Sequence, residues 1–342
     1  MAPSIKDVAS SAGVAVGTVS RVLNDAPGVA PTTRELVKRV IAELAYRPNR
    51  NARALSTGRT HVVGVLVPFV THPSAVERLR GALSVFEGSP YDVVLYDVAT
   101  PEQRLRDLGH RAVLSNADAL MIVSLAPTDA EVATLRTAGV RCVLVDCWHP
   151  ELPRVVTDDV DGGRRATEHL LDLGHRRVAF VGEPGDPARR FRASPRREQG
   201  YRDALAAAGL PVERELVRRV AHSGPAAEAA TAALLALSEP PSAIFAASDT
   251  QALGVLRAAA SHGVRVPDEL AVIGFDDLEV AAHVGLSTVR QPLRQSGAVA
   301  AQLALDVLDA PAELTDAPEI RLELEVVARR STIPEESTPR DR

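Results

Sequence analysis

Between Ile5 and Asn24 the apolar positions recur every three or four residues, stop at a glycine and then resume. Val8, Ala9 and Ala12 share one face of a first short helix, and Gly13 gives the backbone the freedom a sharp reversal needs. A second helix is predicted from about Val16 to Asn24, with Val19, Val22 and Leu23 turned inward. Ser4 and Asp7 stand at capping-box spacing, which starts the first helix at Ile5. The second helix leaves Val16, Gly17, Thr18, Ser20 and Arg21 on or beside its outer face, the shape of a helix-turn-helix. Taken alone, the pattern serves an αα-hairpin of a helical bundle equally well. Beyond a turn through Asp25, Pro27 and Gly28, Thr32 and Glu35 repeat the capping-box spacing. Leu36, Val37, Val40, Ile41 and Leu44 then form one apolar stripe, so three short helices can close a small core.

After His61 the rhythm changes. HVVGVLV, YDVVLYD, DALMIVS and VRCVLVD are short, nearly continuous apolar runs, which is how parallel strands buried on both faces read. Helical stretches separate them near Pro73 to Phe86, Pro101 to Ser115 and Thr128 to Ala138. A second series follows, with RRVAFVG, LVRRVAH, SAIFAAS and ELAVIGF alternating with helices near Gly162 to Leu173, Pro195 to Ala208, Pro225 to Leu237 and Thr250 to His262. Two doubly wound α/β units are expected. The chain is expected to recross near Ser287 to Pro292, with a helix from Pro292 to Leu308 returning to the first unit and IRLELEVVARR adding a late strand there. The Pro-, Glu-, Ser- and Arg-rich residues after Arg330 read as a disordered tail.

Charge divides the chain the same way. Up to Arg59 there are nine basic residues (Lys6, Arg21, Arg34, Lys38, Arg39, Arg47, Arg50, Arg53, Arg59) against four acidic ones (Asp7, Asp25, Glu35, Glu43), a net of +5. The rest must carry -10 to reach the overall -5, and a basic head on an acidic body is polarised towards a polyanion. Cys142 and Cys147 are the two cysteines, too few for a disulfide framework or a four-cysteine zinc site. No apolar run reaches the ~18 to 20 residues of a membrane span and no export signal opens the chain, so a cytoplasmic protein is expected.

IKDVASSAGVAVGTVSRVLN, with VAPTTRELVKRVIAELAYRPNRNARALSTGRT after it, resembles the DNA-binding headpiece and hinge of the lactose repressor and galactose repressor family of transcriptional regulators. TDDVDGG, HLLDLGHRRVAFVG, SPRREQGYRDAL, SDTQALG and VIGFDD extend the resemblance over almost the whole chain. Two departures stand out: Ala15 occupies a place where the family often has a capping Ser or Thr, and Gly17 lies within the recognition helix at a cost of roughly 1 kcal/mol in propensity, so part of this helix is expected to firm up against DNA. The resemblance implies an all-α helix-turn-helix headpiece over residues 1–48, a hinge over 49–60, and an α/β periplasmic-binding-protein-like core over 61–330. That core has two doubly wound parallel-sheet lobes, one of about 61–160 with 291–330 and the other of about 161–290, with residues 331–342 as the tail.

The resemblance also implies partners: a double-stranded DNA operator, a second copy of the chain in a homodimer, and a small-molecule effector, sugar-like by preference, with no cofactor and no membrane. Val16, Gly17, Thr18, Ser20 and Arg21 would meet bases or nearby phosphates, with Ser4, Thr32 and Asn49 orienting backbone around them. The hinge, read from composition alone, is a plain solvated linker. The family makes it a short helix carrying Ala52 and Leu55, whose leucine wedges into the minor groove.

Ligands of open α/β sheets bind outside the carboxyl ends of the strands, and there the family commonly holds effector on positions matching Asp146, Arg197 and Asp276, with Ser248 beside them. Phe69 and Trp148 lie on cleft-edge loops and could cover the apolar face of a sugar. Structural alternatives stay open at this stage: Asp276 and Asp277 as helix caps, Arg197 paired with a surface carboxylate, Trp148 in the core. Asp159 and Asp161 fit better as supports of the interlobe crossover. The cluster Arg189, Arg190, Arg192, Arg196 and Arg197 admits an anionic effector or a solvated charge run. An enzyme is disfavoured, because GEPGDP lacks a dinucleotide fingerprint, there is no P-loop or nucleophile elbow, and the nine histidines are scattered. His175, in the turn LGHRR, suits a structural role. A solute-binding protein of transport would have no use for the basic head.

Overall fold

The computed structural model describes residues 3–23, 25–46, 59–98, 116–185, 192–310 and 317–333. The expected helix near Pro101 to Ser115, the hinge positions Asn49, Ala52 and Leu55, and Arg189 and Arg190 lie outside these residues. The chain divides into two compact units, residues 1–61 and 62–342.

The first unit contains α1 (Ile5–Ser11), α2 (Val16–Leu23) and α3 (Pro31–Glu43). Val8, Ala9, Ala12, Val19, Val22, Val37 and Val40 close its core. The first capping box forms: the Ser4 hydroxyl accepts from the Asp7 amide at 3.4 Å, and the Asp7 carboxylate accepts from the Ser4 amide at 2.7 Å. Those hydrogen bonds hold the exposed Asp7 carboxyl below its ordinary pKa. The expected second box does not form. Pro31, already set at helical φ, occupies the first turn, so the helix begins before Thr32 and its N-cap is Ala30, without a side-chain bond. Thr32 is therefore an exposed residue inside α3, and Leu36, expected in the apolar stripe, is 39% exposed. Arg34 pins the preceding turn instead, donating to Asp25 at 2.6 Å and to the Ala26 carbonyl at 2.8 Å.

In the second unit the elements follow as β1 (Val62–Val67), α4 (Pro73–Phe86), β2 (Asp92–Asp97), β3 (Ala119–Val123), α5 (Asp129–Thr137), β4 (Arg141–Val145), β5 (Arg154–Val156) and α6 (Asp159–Asp172). Then come β6 (Val178–Gly182), α7 (Ala193–Ala207), β7 (Val217–Arg219), α8 (Gly224–Leu235), β8 (Ala243–Ala246), α9 (Asp249–Ser261), β9 (Ala271–Asp276), α10 (Glu279–His283), β10 (Ser287–Arg290), α11 (Leu293–Asp309), β11 (Glu319–Arg321) and β12 (Glu325–Val327). The sheets run β11-β5-β4-β3-β1-β2 and β12-β10-β9-β8-β6-β7, one per lobe, with every pairing parallel except β12 on β10. Both lobes therefore repeat one doubly wound order, and each turns its strand ends towards the other.

Three segments cross between the lobes: one after β5, one between β10 and α11, and one between β11 and β12. The last differs from the expected single strand. IRLELEV keeps its apolar residues at alternate positions and reads as one strand of the first lobe, yet it serves both sheets. Leu322 packs into the first core and Leu324 into the second. Two residues of the expected loose tail are held in place, because Ser331 and Thr332 are buried. The Ser331 hydroxyl donates to the Val272 carbonyl at 2.6 Å and accepts from the Ser287 amide at 2.7 Å.

Glycines let each lobe's leading helix approach its neighbour closely. A Cβ at Gly81 would lie 1.9 Å from the Arg294 carbonyl oxygen, and one at Gly297 1.9 Å from that of Arg78. The second lobe repeats this with Gly200 against the Val160 carbonyl (1.9 Å) and Gly163 against that of Arg197 (2.1 Å). Helix pairs α4 with α11, and α6 with α7, are thus locked where each carries an arginine towards the cleft.

Candidate functional site

On α2 the outer residues are the expected ones: Val16, Gly17 and Arg21 are exposed, and Thr18 and Ser20 are half-buried. Val16 is 40% exposed, a conspicuous apolar side chain at the start of a helix whose other valines are buried. No described carboxylate pairs with Arg21. Lys6, Lys38 and Arg39 are exposed as well. Ser4 is engaged in its cap, where its hydroxyl donates to Asp7 at 2.8 Å. A Cβ added at Gly17 would meet nothing within 4 Å, and the residue has no left-handed φ. Gly17→Ala should therefore raise the stability of the first unit by about 1 kcal/mol, read from its urea midpoint; an unchanged or lower midpoint would count against a helical Gly17.

In the two-lobed unit, the strand ends converge on a cleft. Phe69 follows β1, Ser124 follows β3, Asp146 follows β4 and Asp276 ends β9, with φ of 55°, 55°, 51° and 125°. Left-handed backbone at non-glycine residues is costly, and here it gathers where four strands deliver side chains to one space. The inner cavity, about 60 Å³, is lined by Phe69, His72, Arg78, Asp146, Asp159, Arg197, His222, Asp276 and Gln291, among others. An outer chamber of about 460 Å³ shares Ser124, Asp146, Asp159 and Ala193 with it and is bordered by Trp148, Arg192, Arg196 and Arg321.

A buried polar chain crosses from lobe to lobe. Arg197 donates from Nε to Asp159 at 2.9 Å and from Nη1 to the Ala247 carbonyl at 2.6 Å, lies 3.8 Å from Asp276, and stacks 3.7 Å over the Phe275 ring. Gln291 donates to Asp276 at 2.6 Å, while its carbonyl oxygen accepts from Arg78 at 3.2 Å and Thr157 at 3.4 Å. Arg78 closes the chain through an ion pair with Asp146. Burial pushes the Asp159 and Asp276 carboxyls above their ordinary pKa, with Arg197 opposing in both cases. Burial also works against the charge on Arg197, but Asp159 and Asp276 outweigh it and raise its pKa. At the other wall Phe69, His72 and His222 form a ring stack, with centroids 4.7 and 4.6 Å apart, contributed by both lobes. Burial and the neighbouring His222 hold the His72 pKa down.

Of the residues anticipated from sequence, Asp146, Arg197, Asp276 and Phe69 meet in the inner cavity, and Trp148 borders the outer chamber. Trp148 is 56% exposed and lies under the Arg154 guanidinium at 5.5 Å, so it is not core. Ser248 is not brought in. It is buried as the N-cap of α9, where its hydroxyl accepts from the Gln251 amide at 3.2 Å, and it borders neither cavity. Neither Asp276 nor Asp277 caps α10, whose N-cap is Leu278. Asp277 is instead held by Arg290 and Arg329. Arg197 pairs with buried Asp159, not a surface carboxylate, and Asp159 belongs to the cleft as much as to the crossover. His175 bonds Ser242 at 3.0 Å, a structural contact.

Arg78, Gln291, His72 and His222 are cleft residues that sequence reasoning misses. One signal points to the first: Arg78-x-x-Gly81 repeats the spacing of Arg197-x-x-Gly200.

Behind the cleft, burial and the nearby Asp276 push the Asp249 carboxyl from an ordinary 3.8 up to about 8, against hydrogen bonds from Thr288 (2.7 Å) and the Leu278 amide (2.8 Å). Because the folded value lies above the unfolded one, the unfolded chain loses this proton first. The stability Asp249 contributes is full below about pH 4 and is lost as pH rises to about 8. Asp249→Asn, which keeps no proton to lose, should therefore gain stability relative to the unaltered chain between pH 6 and pH 9, compared by urea unfolding. A variant that falls further behind at pH 9 would contradict the shift.

The two units define a ligand-responsive, DNA-binding transcriptional regulator rather than an enzyme. Residues 4–49 match the lacI family of bacterial regulatory proteins, and residues 167–332 match a periplasmic binding protein-like domain. The HTH-type transcriptional regulator CelR of Thermobifida fusca is 35% identical over 340 residues, covering 96% of this chain and 98% of that protein. Among solved structures, a transcriptional regulator CelR–cellobiose complex is similar at TM-score 0.70 and 33% identity, covering 96% of this chain and 99% of that one. A Lac repressor dimer bound to operator and the anti-inducer ONPF is similar at TM-score 0.84 and 25% identity, covering 97% and 100%. This chain belongs to the lacI family of bacterial regulatory proteins. No described helix is long and apolar enough to cross a membrane.

Proposed function

We propose that the chain is a cytoplasmic repressor that binds a palindromic operator as a homodimer and is controlled by a sugar-like effector held between its lobes. The observation that carries this reading is the buried polar chain through Asp159, Arg197, Asp276, Gln291, Arg78 and Asp146, which spans both lobes beside the crossovers. A ligand replacing any of these bonds changes the angle between the lobes. Such a ligand shifts DNA affinity only as far as it prefers one angle. The related CelR bound to cellobiose and the Lac repressor dimer on its operator support both halves of the reading.

Val16, Gly17, Thr18, Ser20 and Arg21 would enter the major groove, with Ser4 and Thr32 beside the phosphates. The head is assigned to 1–48 and the hinge to 49–60, with Asn49, Ala52 and Leu55 meeting the minor groove. Of the effector contacts, Phe69, Asp146, Arg197 and Asp276 serve the inner cavity and Trp148 the outer chamber; Ser248, the N-cap of α9, borders neither. The test is a thermal-shift screen against sugars and other metabolites, with each hit then added to an operator titration. A hit that stabilises the chain and changes operator affinity is expected, and hits that leave operator affinity untouched would break the link.

A further inference from the structure

We propose that Arg78 and Asp146 form a second hydroxyl-gripping couple, the first-lobe counterpart of Arg197 with Asp159, and that the two couples select an uncharged polyol over a sugar acid or sugar phosphate. This rests on the cleft being the effector site.

The two couples are built alike. In each lobe the helix after the first strand carries Arg-x-x-Gly, and the glycine lets that helix press against its neighbour. A reciprocal glycine, Gly297 or Gly163, touches the carbonyl of the arginine itself, so each guanidinium leaves a backbone that has no room to shift. Arg78 is 8% exposed and Arg197 7%, and both line the inner cavity. Each pairs with a buried carboxylate, Asp146 or Asp159. Arg78 is the less satisfied of the two: its Nε is buried and has no hydrogen-bond partner among the described residues.

Charge decides the ligand class. Two guanidiniums face Asp146, Asp159 and Asp276, with Glu183 on the same wall. An anionic group entering this space meets more carboxylates than cations, and both cations are already engaged. A hydroxyl is suited to it, since it donates to the carboxylate of a couple while accepting from the guanidinium. Vicinal hydroxyls at two ends of a small polyol would engage one couple in each lobe and draw the lobes together. The outer chamber does not reverse this balance: Arg192, Arg196 and Arg321 stand there beside Asp158 and Glu319, with Arg321 bonding Asp158 at 3.0 Å and Glu319 at 2.9 Å and Arg196 3.6 Å from Asp158, so its surplus of one cation is smaller than the inner cavity's surplus of carboxylates.

The test uses the full chain and its one tryptophan, Trp148, at the outer chamber. Ribose, glucose, galactose and cellobiose are titrated beside glucuronate, galacturonate, glucose 6-phosphate and ribose 5-phosphate, following Trp148 emission and melting temperature. At least one neutral sugar should bind, and its acid or phosphate counterpart should bind far more weakly. Arg78→Gln should weaken the neutral sugar on the order of 10- to 100-fold, the loss of a charge-assisted hydrogen bond. Arg78→Gln with Asp146→Asn, which leaves no charge unpaired, should melt like the unaltered chain without sugar and still bind weakly. Asp146→Asn alone frees the Arg78 charge and should move preference towards the sugar acid, a gain that loss of structure cannot produce. Arg78→Gln binding the neutral sugar at full strength, or an unaltered chain preferring an acid or phosphate, overturns the proposal while leaving the effector cleft standing. An unaltered chain that responds to none of the eight compounds overturns the cleft reading and the proposal together.

Discussion

Arg197→Met is expected to cost about 3–5 kcal/mol of stability and to abolish the response to effector. The guanidinium is the shared partner of Asp159 at 2.9 Å and Asp276 at 3.8 Å, and it also satisfies the Ala247 carbonyl. Methionine fills part of the volume over Phe275 but takes from two buried carboxyls the cation that acts on each most strongly. Both are already pushed up in pKa by burial, and without Arg197 they would bind protons more readily still. The loss should accordingly be greater at pH 8 than at pH 5, where protonation relieves part of it. Urea unfolding at the two pH values measures this, and equal losses would mean that the arginine acts by packing alone.

Arg21→Ala is expected to lower operator affinity by about 1–3 kcal/mol, roughly 5- to 150-fold, while effector-induced stabilisation persists. Arg21 is exposed on the outer face of α2, opposite the valines that fill the core, and truncating it disturbs no buried contact of the first unit. If Arg21 reads a base edge, the loss falls on the operator and hardly on random duplex. If it meets a phosphate, both weaken together and the salt dependence becomes shallower. An operator titration that does not move would remove Arg21 from the interface.

Much of this architecture is legible in the chain because local and tertiary preferences agree there. The Ser4–Asp7 box, the Gly13 turn and the spaced valines of α2 each specify the same helix-turn-helix, and most of the continuous apolar runs after His61 fit strands covered on both faces. YDVVLYD and LVRRVAH do not, because β2 and β7 are sheet edges, and β2 leaves Val94 and Leu95 exposed. Misreadings arise where two signals coincide. Thr32 and Glu35 have the right spacing for a cap, but Pro31 begins the helix first. Ser248 follows a strand, where effector loops are expected, yet its hydroxyl is used by the Gln251 amide. IRLELEV has perfect alternation and still breaks, because alternation reports which side is buried and says nothing of which core buries it.

The site is half legible for a related reason. Asp146 and Asp276 follow strands, where ligand loops are expected, and Arg197 sits in a distinctive motif. Gln291 and His222 carry no local signature: one lies on a crossover and the other after an edge strand. Their roles exist only once the lobes face each other, with Gln291 joining Asp276 to Arg78 and His222 stacking on His72.

That a basic three-helix head reads duplex DNA under control of the two-lobed cleft is tested most directly by fluorescence anisotropy. Labelled inverted-repeat and scrambled duplexes are titrated with the full chain at moderate salt, with and without a sugar that raises its melting temperature. Tighter binding to one inverted repeat than to its scrambled version is expected, with a shift in that affinity when the sugar is present. Equal binding to both duplexes, unmoved by the sugar, would contradict it.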